Sequence, residues 1–316
     1  MARADYAGLE TVLKDDYLGN LLKVPQQSST RLFKEFKEVT VEGKQLFVDG
    51  IAPVNYRIDN SQNAASVGTS ANFFRRKLDT DRMIIEIDYD EHWFKKTTDK
   101  NPSALITAEM MKASYRFLDK VGINAAFADV YYGEKGENTL TFAQDNGITL
   151  DATAGITDTI LAKISHRFTG VEVVEPDGLS NIRFVISEDE QYDMKGISNL
   201  ISGDFQRLFP QLAQGNANGT GFEKVYGMNI VSFGAQAATG KMLNESSGVR
   251  DCIALADDAL IYGMASDGVQ FEIIPLKETK ISTVRLRLTL TAGAVRSDGR
   301  KVIKFQTTVK DPSSFY

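Results

Sequence analysis

The sequence predicts a mixed α+β fold organised around one long helix. Three patterns carry that prediction. Between residues 99 and 133, Ile106, Met110, Ala113, Phe117, Val121, Ala125 and Ala128 recur at steps of three or four, with Met111, Leu118 and Phe127 widening the stripe. This spacing sets them on one helical face. On either side of that stretch the period changes to two. Residues 82–89 read RMIIEIDY, and residues 282–294 place Val284, Leu286, Leu288 and Leu290 on one face and Arg285, Arg287, Thr289 and Thr291 on the other. Between them, residues 182–186 (IRFVI) run into Ser187 and Glu190, a capping-box pair that starts a helix directly after a strand.

Residues 1 to about 40 are mixed and rather polar. Leu9, Val12, Leu13, Tyr17, Leu21 and Leu22 predict a short amphipathic helix that Pro25 stops, and residues 26–30 read as loop. Too few apolar residues are present for a core, so the segment is expected to lie across another surface or to stay unstructured. Residues 39–59 carry short strand patterns, and 60–72 (NSQNAASVGTSAN) are small and polar. Phe73-Phe74-Arg75-Arg76-Lys77 then lead back toward the strand at Arg82. Two strand limbs joined by a polar tip predict a long hairpin. Its tip has nothing to bury, and ordering it costs entropy that contact with a second chain can offset. The basic patch Arg75, Arg76 and Lys77 reads either as the contact or as a solvated surface.

For the long helix, Asp99 or Asn101 can cap the start, Pro102 suits the first helical position, and Gly133 offers a stop after Tyr132. A helix with one apolar face needs a sheet along it. Residues 136–150 are polar with strand-like pieces. Thr157 caps a helix bearing Ile160, Leu161, Ile164 and Phe168, and the helix begun at Ser187 is expected to run toward Leu200. This alternation predicts a compact α/β unit, with residues 214–221 (QGNANGTG) as a loop. A strand at 269–274 follows. Asp298-Gly299 marks a turn, so 301–309 are expected to pair back on the strand that ends near Ala294. That sheet is expected to cover the helix.

Composition excludes several function classes. A chain of 316 residues with 42% hydrophobic and 25% charged content has the make-up of a folded protein, and a net charge of −6 argues against a dedicated nucleic-acid binder. The single cysteine, Cys252, rules out an intramolecular disulfide and sits in an apolar run. No window resembles a membrane span, and MARADYAGLE lacks the apolar core of a signal peptide.

The ligand-like cluster Asp88, Asp90, Glu91 and His92 does not converge, because strand alternation sends Glu91 away from the two aspartates. His166 has no nucleophile spaced near it. Gly234 to Lys241 fails as a phosphate loop, having five residues between its glycines and Met242 where Ser or Thr is required. No GxGxxG follows a strand. The expectation is therefore no catalytic residue, no cofactor and no metal. An unrecognised α/β enzyme using Asp90 or His92 is the outlying reading.

The order of the parts carries a resemblance. A basic hairpin arm leads to the strand that ends near Asp90, then to the long helix with Arg116 and Asp119 three apart, then to Tyr131-Tyr132-Gly133. Further on come Tyr226-Gly227-Met228-Asn229-Ile230-Val231-Ser232-Phe233 before the apolar run at 251–256, and Gly293-Ala294-Val295-Arg296 before the last turn. This resembles the major capsid proteins of tailed bacteriophages, which share the Hong Kong 97-type fold. The resemblance implies an N-terminal arm (1–42), an extended hairpin loop (43–88), a peripheral domain with the spine helix (89–148), an axial α/β domain (149–265) and a closing peripheral sheet (266–316). It also implies self-assembly into pentamers and hexamers of an icosahedral head around double-stranded DNA, with no sequence-specific DNA contact and no membrane. Arg75, Arg76 and Lys77 become candidate contacts between subunits. No N-terminal extension of the kind some relatives cleave off is seen, so a separate scaffolding protein, or none, is expected, with a portal and possible decoration proteins as further partners. The expected location is the virion, assembled in the host cytoplasm. The alternative is an encapsulin-type shell, which shares the architecture and encloses cargo enzymes.

Overall fold

In a computed structural model of the chain, the residues described are 26–52, 54, 72–90, 102–175, 179, 181–197, 213–215, 222–235, 240–276 and 283–309. The predicted amphipathic helix before Pro25, the polar hairpin tip and Glu91–His92 lie outside them. In chain order the elements are β1 (Lys37–Val41), β2 (Gln45–Ile51), β3 (Phe73–Asp79), β4 (Asp81–Asp90), α1 (Pro102–Phe127), β5 (Val130–Tyr132), β6 (Asn138–Leu140), β7 (Ile148–Ala152) and α2 (Asp158–Gly170). Then come β8 (Arg183–Ser187), α3 (Glu188–Met194), β9 (Ala213–Gly215), β10 (Phe222–Val225), β11 (Met228–Phe233), β12 (Asn244–Ser246), β13 (Val249–Leu255), β14 (Leu260–Pro275), β15 (Thr283–Arg296) and β16 (Val302–Thr308). Among the described residues the strands form three sheets: β1-β14-β15-β4, β2-β3-β5-β6, and an eight-stranded sheet ordered β7-β16-β13-β8-β11-β10-β9 with β12 on β13.

The first sheet covers the long helix as expected. Met83, Ile85, Ile87 and Tyr89 of β4 and Val284, Leu286 and Leu288 of β15 pack with Ile106, Met110 and Met111 of α1. Further along, Leu118 meets Leu290 and Ala292, and the last turns bring Ile123 and Ala126 into the large core under the eight-stranded sheet. One helix of 26 residues, about 39 Å at 1.5 Å per residue, thus joins three apolar clusters. The large core holds Leu161, Ile164 and Phe168 of α2, and Phe184 of β8 stacks on Phe305 of β16 at 4.8 Å.

Several expectations are corrected. The helix stops at Phe127, and Val130–Tyr132 becomes β5, paired with β3 and β6; Gly133, at φ +106°, serves the following turn. The buried face of α1 includes Ser114, Asp119 and Gly122, while Ala128 is exposed. The helix after Ser187 has its capping box but ends at Met194. Gln214 and Gly215 lie in β9. β16 does not return to β15: the turn at Asp298 sends it into the other sheet, antiparallel to β13 and parallel to β7. β14 is one strand from Leu260 to Pro275, lying in the β1-β14-β15-β4 sheet on both sides of residue 265. Residues 26–41 lie on the chain's own body, with β1 parallel to β14.

Gly122 is set by close approach. A Cβ there would sit 1.7 Å from the Tyr262 hydroxyl, which is itself buried with no hydrogen-bond partner among the described residues. Glycine to alanine inside a helix normally stabilises by about 1 kcal/mol. Gly122→Ala is expected to destabilise instead, by about 1–3 kcal/mol from overpacking, measured as a lower urea midpoint at unchanged slope.

The eight-stranded sheet is also tied by charge. Arg250, buried, donates to Glu245 at 2.7 Å, Glu190 at 2.8 Å and Asp189 at 3.0 Å, and Thr307 donates to Glu190 at 2.8 Å. Burial opposes the charge on Glu245, but Lys241 and Arg250 outweigh it and hold this carboxyl below its usual range. A depressed carboxyl contributes stability that is present above its unfolded pKa and lost as pH falls through the folded value. Urea titrations are therefore expected to show stability falling as pH drops below the ordinary carboxylate range. In Glu245→Gln that fall should be smaller.

Candidate functional site

The described part of the hairpin limb packs one face on the body and leaves the other exposed. β2 and β3 pair from Gln45↔Asp79 to Ile51↔Phe73, and the bond from Ala52 N–H to Asn72 O continues the ladder toward the tip. Alternation gives the limb two faces. Leu46, Val48 and Leu78 pack inward with Val41, Val130 and Val295. Phe47, Asp49, Ile51, Phe73, Arg75 and Lys77 share the other face, joined by Tyr131 of β5 opposite Lys77. At the far end Ile51 is 62% and Phe73 72% exposed.

The three basic residues are not equivalent. Arg75 is half-buried and holds Asp49 in a two-pronged pair at 2.6 and 3.1 Å; this hydrogen bonding keeps the Asp49 carboxyl below its usual range. Lys77 lies over the Tyr131 ring and pairs with Asp79 at 3.0 Å. Arg76 points inward and is buried. Its guanidinium grips Asp145 at 2.7 and 2.9 Å, and Asp145 also accepts from Arg296 Nε at 2.8 Å. Arg296 further donates to the carbonyls of Ala126 and Ala128 at the end of α1. This buried Arg–Asp–Arg arrangement fastens the limb to β15 and to the helix.

A second buried carboxylate, Asp119 on α1, accepts the backbone N–H groups of Arg31, Leu32 and Phe33 at 2.9–3.0 Å, and also the Gln27 amide. Arg116 reaches the Gln26 side chain. Residues 26–33 are thereby strapped across the helix. Motif reading singled out Arg116 and Asp119 on the helix, but neither the partners of Asp119 nor the Asp145 pairing followed from it. A signal existed for two of the residues. Asp119 stands within two positions of the apolar stripe, and Arg296 continues the even-numbered, inward phase of β15; a charge on a buried phase requires a partner.

Among the residues weighed for chemistry, those that the structure describes do not assemble. Asp88 binds Arg285 at 2.6 Å. The Cys252 thiol is fully buried, and burial pushes it well above the usual range. Lys241 pairs with Glu245. His166 and Lys163 edge an open apolar depression with Ile148, Leu150 and Ile303, which holds no carboxylate. Among the described residues no three His, Cys, Asp or Glu side chains are placed to hold a metal, and no helix is long and apolar enough to cross a membrane.

The chain has the Hong Kong 97-type fold of tailed-phage capsid proteins. It is similar to the capsid structure of the cyanophage P-SCSP1u (TM-score 0.67, 11% identity, 96% of this chain and 95% of that one). Similar too are the mature capsid of bacteriophage PhiM1 (0.65, 14%, 94% and 92%) and the capsid of Ralstonia phage GP4 (0.65, 10%, 95% and 96%). No family model and no curated protein sequence matches the chain.

Removing one member of a buried ion cluster exposes which pair matters. Asp145→Asn leaves two buried guanidinium groups facing each other and is expected to cost about 3–5 kcal/mol. Arg76→Met keeps the Asp145–Arg296 pair and is expected to cost about 1–3 kcal/mol. Urea unfolding of the two variants checks the order; equal losses would contradict it.

Proposed function

We propose that this chain is a major capsid protein that builds the icosahedral head of a tailed bacteriophage. The observation that carries the reading is the shared fold over more than nine-tenths of the chain with solved phage capsids. The exposed apolar end of the described limb supports it, since large apolar side chains left in solvent suit association. The protein works by joining copies of itself into pentamers and hexamers around double-stranded DNA, with no turnover of a substrate. Its net charge of −6 suits a wall along which packed DNA slides. Arg75 and Lys77 meet the neighbouring subunit, and Arg76 sets the limb from within. A separate scaffolding protein, a portal and decoration proteins are the further partners, and assembly takes place in the host cytoplasm. The encapsulin-type alternative shares the architecture; the phage capsids named above favour the viral reading.

Electron microscopy of the purified protein, alone and with its scaffold, is expected to show closed shells with five- and six-fold clusters. A monodisperse monomer under every assembly condition overturns the proposal. Deletion of residues 60–70 is expected to leave subunit unfolding unchanged and to abolish shells, and shells from that variant would remove the limb from the contact.

A further inference from the structure

One apolar row of the first sheet is covered at one end and bare at the other. On β14, Tyr262 and Met264 stand opposite Ala294 and Ala292 of β15. After a register shift, Val269, Phe271 and Ile273 stand opposite Leu290, Leu288 and Leu286, so all five share the face on which α1 lies. Tyr262 is fully buried; Phe33 meets its ring edge-on at 4.9 Å, and the Phe36 ring lies 6.2 Å from it. Val269 is 39%, Phe271 40% and Ile273 61% exposed, and none of the three joins an apolar cluster among the described residues. The row is dry where residues 33–36 lie and wet beyond them.

The course of residues 26–36 shows why the cover stops there. This strap lies on the β14 side of α1, since it runs on into β1, which pairs with β14, and Phe33 and Met264 pack against the same cluster around Leu118. Two side chains of the helix fix its direction. Asp119 accepts the N–H groups of Arg31, Leu32 and Phe33, and Arg116, one turn earlier, reaches Gln26. Followed backward, the chain therefore heads toward the start of α1. That end of the helix, at Ile106 and Met110, packs with Leu286 and Leu288, the residues opposite Ile273 and Phe271. The segment that precedes Gln26 thus enters the trough beside the helix at the head of the bare row.

We infer that residues 9–22 of the same chain lie in this trough as a helix and close the row. The sequence supplies the matching face, because Leu9, Leu13, Tyr17 and Leu21 recur at every fourth position. Asp16 borders that face; the β14 row is one side chain wide, so this carboxylate keeps to the wet margin. The lengths match, since residues 9–22 as a helix cover about 21 Å and the register positions from Val269 to Pro275 about 20 Å. Residues 23–25 then bridge to the strap, with Pro25 ending the helix. A helix this short is marginal in water and takes its stability from the apolar face it covers. A segment of the same chain reaches the row without the translational cost of recruiting a second molecule. The inference concerns the subunit by itself and goes beyond the capsid reading.

The experiment uses the full-length, unassembled subunit, so its outcome does not depend on shell formation. Leu13→Cys or Tyr17→Cys, each combined with Phe271→Cys or Ile273→Cys, is oxidised at low protein concentration. Native Cys252 is buried and stays silent. At least one pair is expected to close a disulfide within the chain, seen as a faster monomer band on a non-reducing gel, because side chains that face each other come within disulfide reach. Hydrogen exchange gives a second readout. Amides of residues 9–22 are expected to exchange at least about tenfold more slowly than in the free peptide, and Phe271→Asp/Ile273→Asp, at exposed positions, is expected to remove that protection while α1 and β15 keep theirs. Links between chains only would make a second copy the occupant and overturn the inference. Exchange of residues 9–22 at the free-peptide rate, with no link from any pair, overturns it as well. Either result leaves the capsid reading standing, whereas a subunit that links as expected and never forms shells overturns that reading alone.

Discussion

The contact between α1 and β15 is the constraint from which the rest of the subunit follows. The two elements run side by side in the same direction. Ile106 and Met110 lie against Leu286 and Leu288, Leu118 against Leu290 and Ala292, and the helix end against Arg296. Their lengths nearly agree, since 26 helical residues come to about 39 Å and 14 strand residues to about 46 Å. A shorter helix would leave part of β15 wet. The close is electrostatic as well as apolar, because Arg296 supplies a cation to the carbonyls that end α1, where the helix dipole favours one.

Buried charge then fixes how the remaining parts sit on that pair. Asp119 fastens residues 26–33 across the helix, Asp145 fastens the limb, and Arg250 of β13 fastens β12 and α3 to the eight-stranded sheet. In each case the partners are more than fifty residues apart or come from different elements, so each cluster sets a long-range register. Apolar packing tolerates sliding; a carboxylate gripped by three backbone N–H groups does not. These clusters account for how a chain with three sheets keeps one arrangement of them.

The legible part of this architecture was the part with a period. The alternation in 82–89 and 282–294 and the apolar steps in α1 each have a repeat that local geometry enforces, and the capping box at Ser187 is a local device. What could not be read depended on partners far away in the chain. Residues 130–132 look like a helical continuation until β3 and β6 are present to pair with them. β16 has the turn and alternation of a hairpin with β15, yet Asp298 caps a short 3-10 turn that redirects it to β13. At the candidate contact, composition grouped Arg75, Arg76 and Lys77, but strand alternation separates them. Arg76 takes the inward phase, and what remains outside is as much apolar as basic.

The limb is held on the body in two ways, and they differ in what they fix. Leu46, Val48 and Leu78 pack with Val41, Val130 and Val295, and Arg76 of the limb and Arg296 of β15 share the Asp145 carboxylate. A carboxylate has two oxygens and little freedom once both are taken, so the buried triad fixes an orientation of the limb that apolar contacts alone would leave loose.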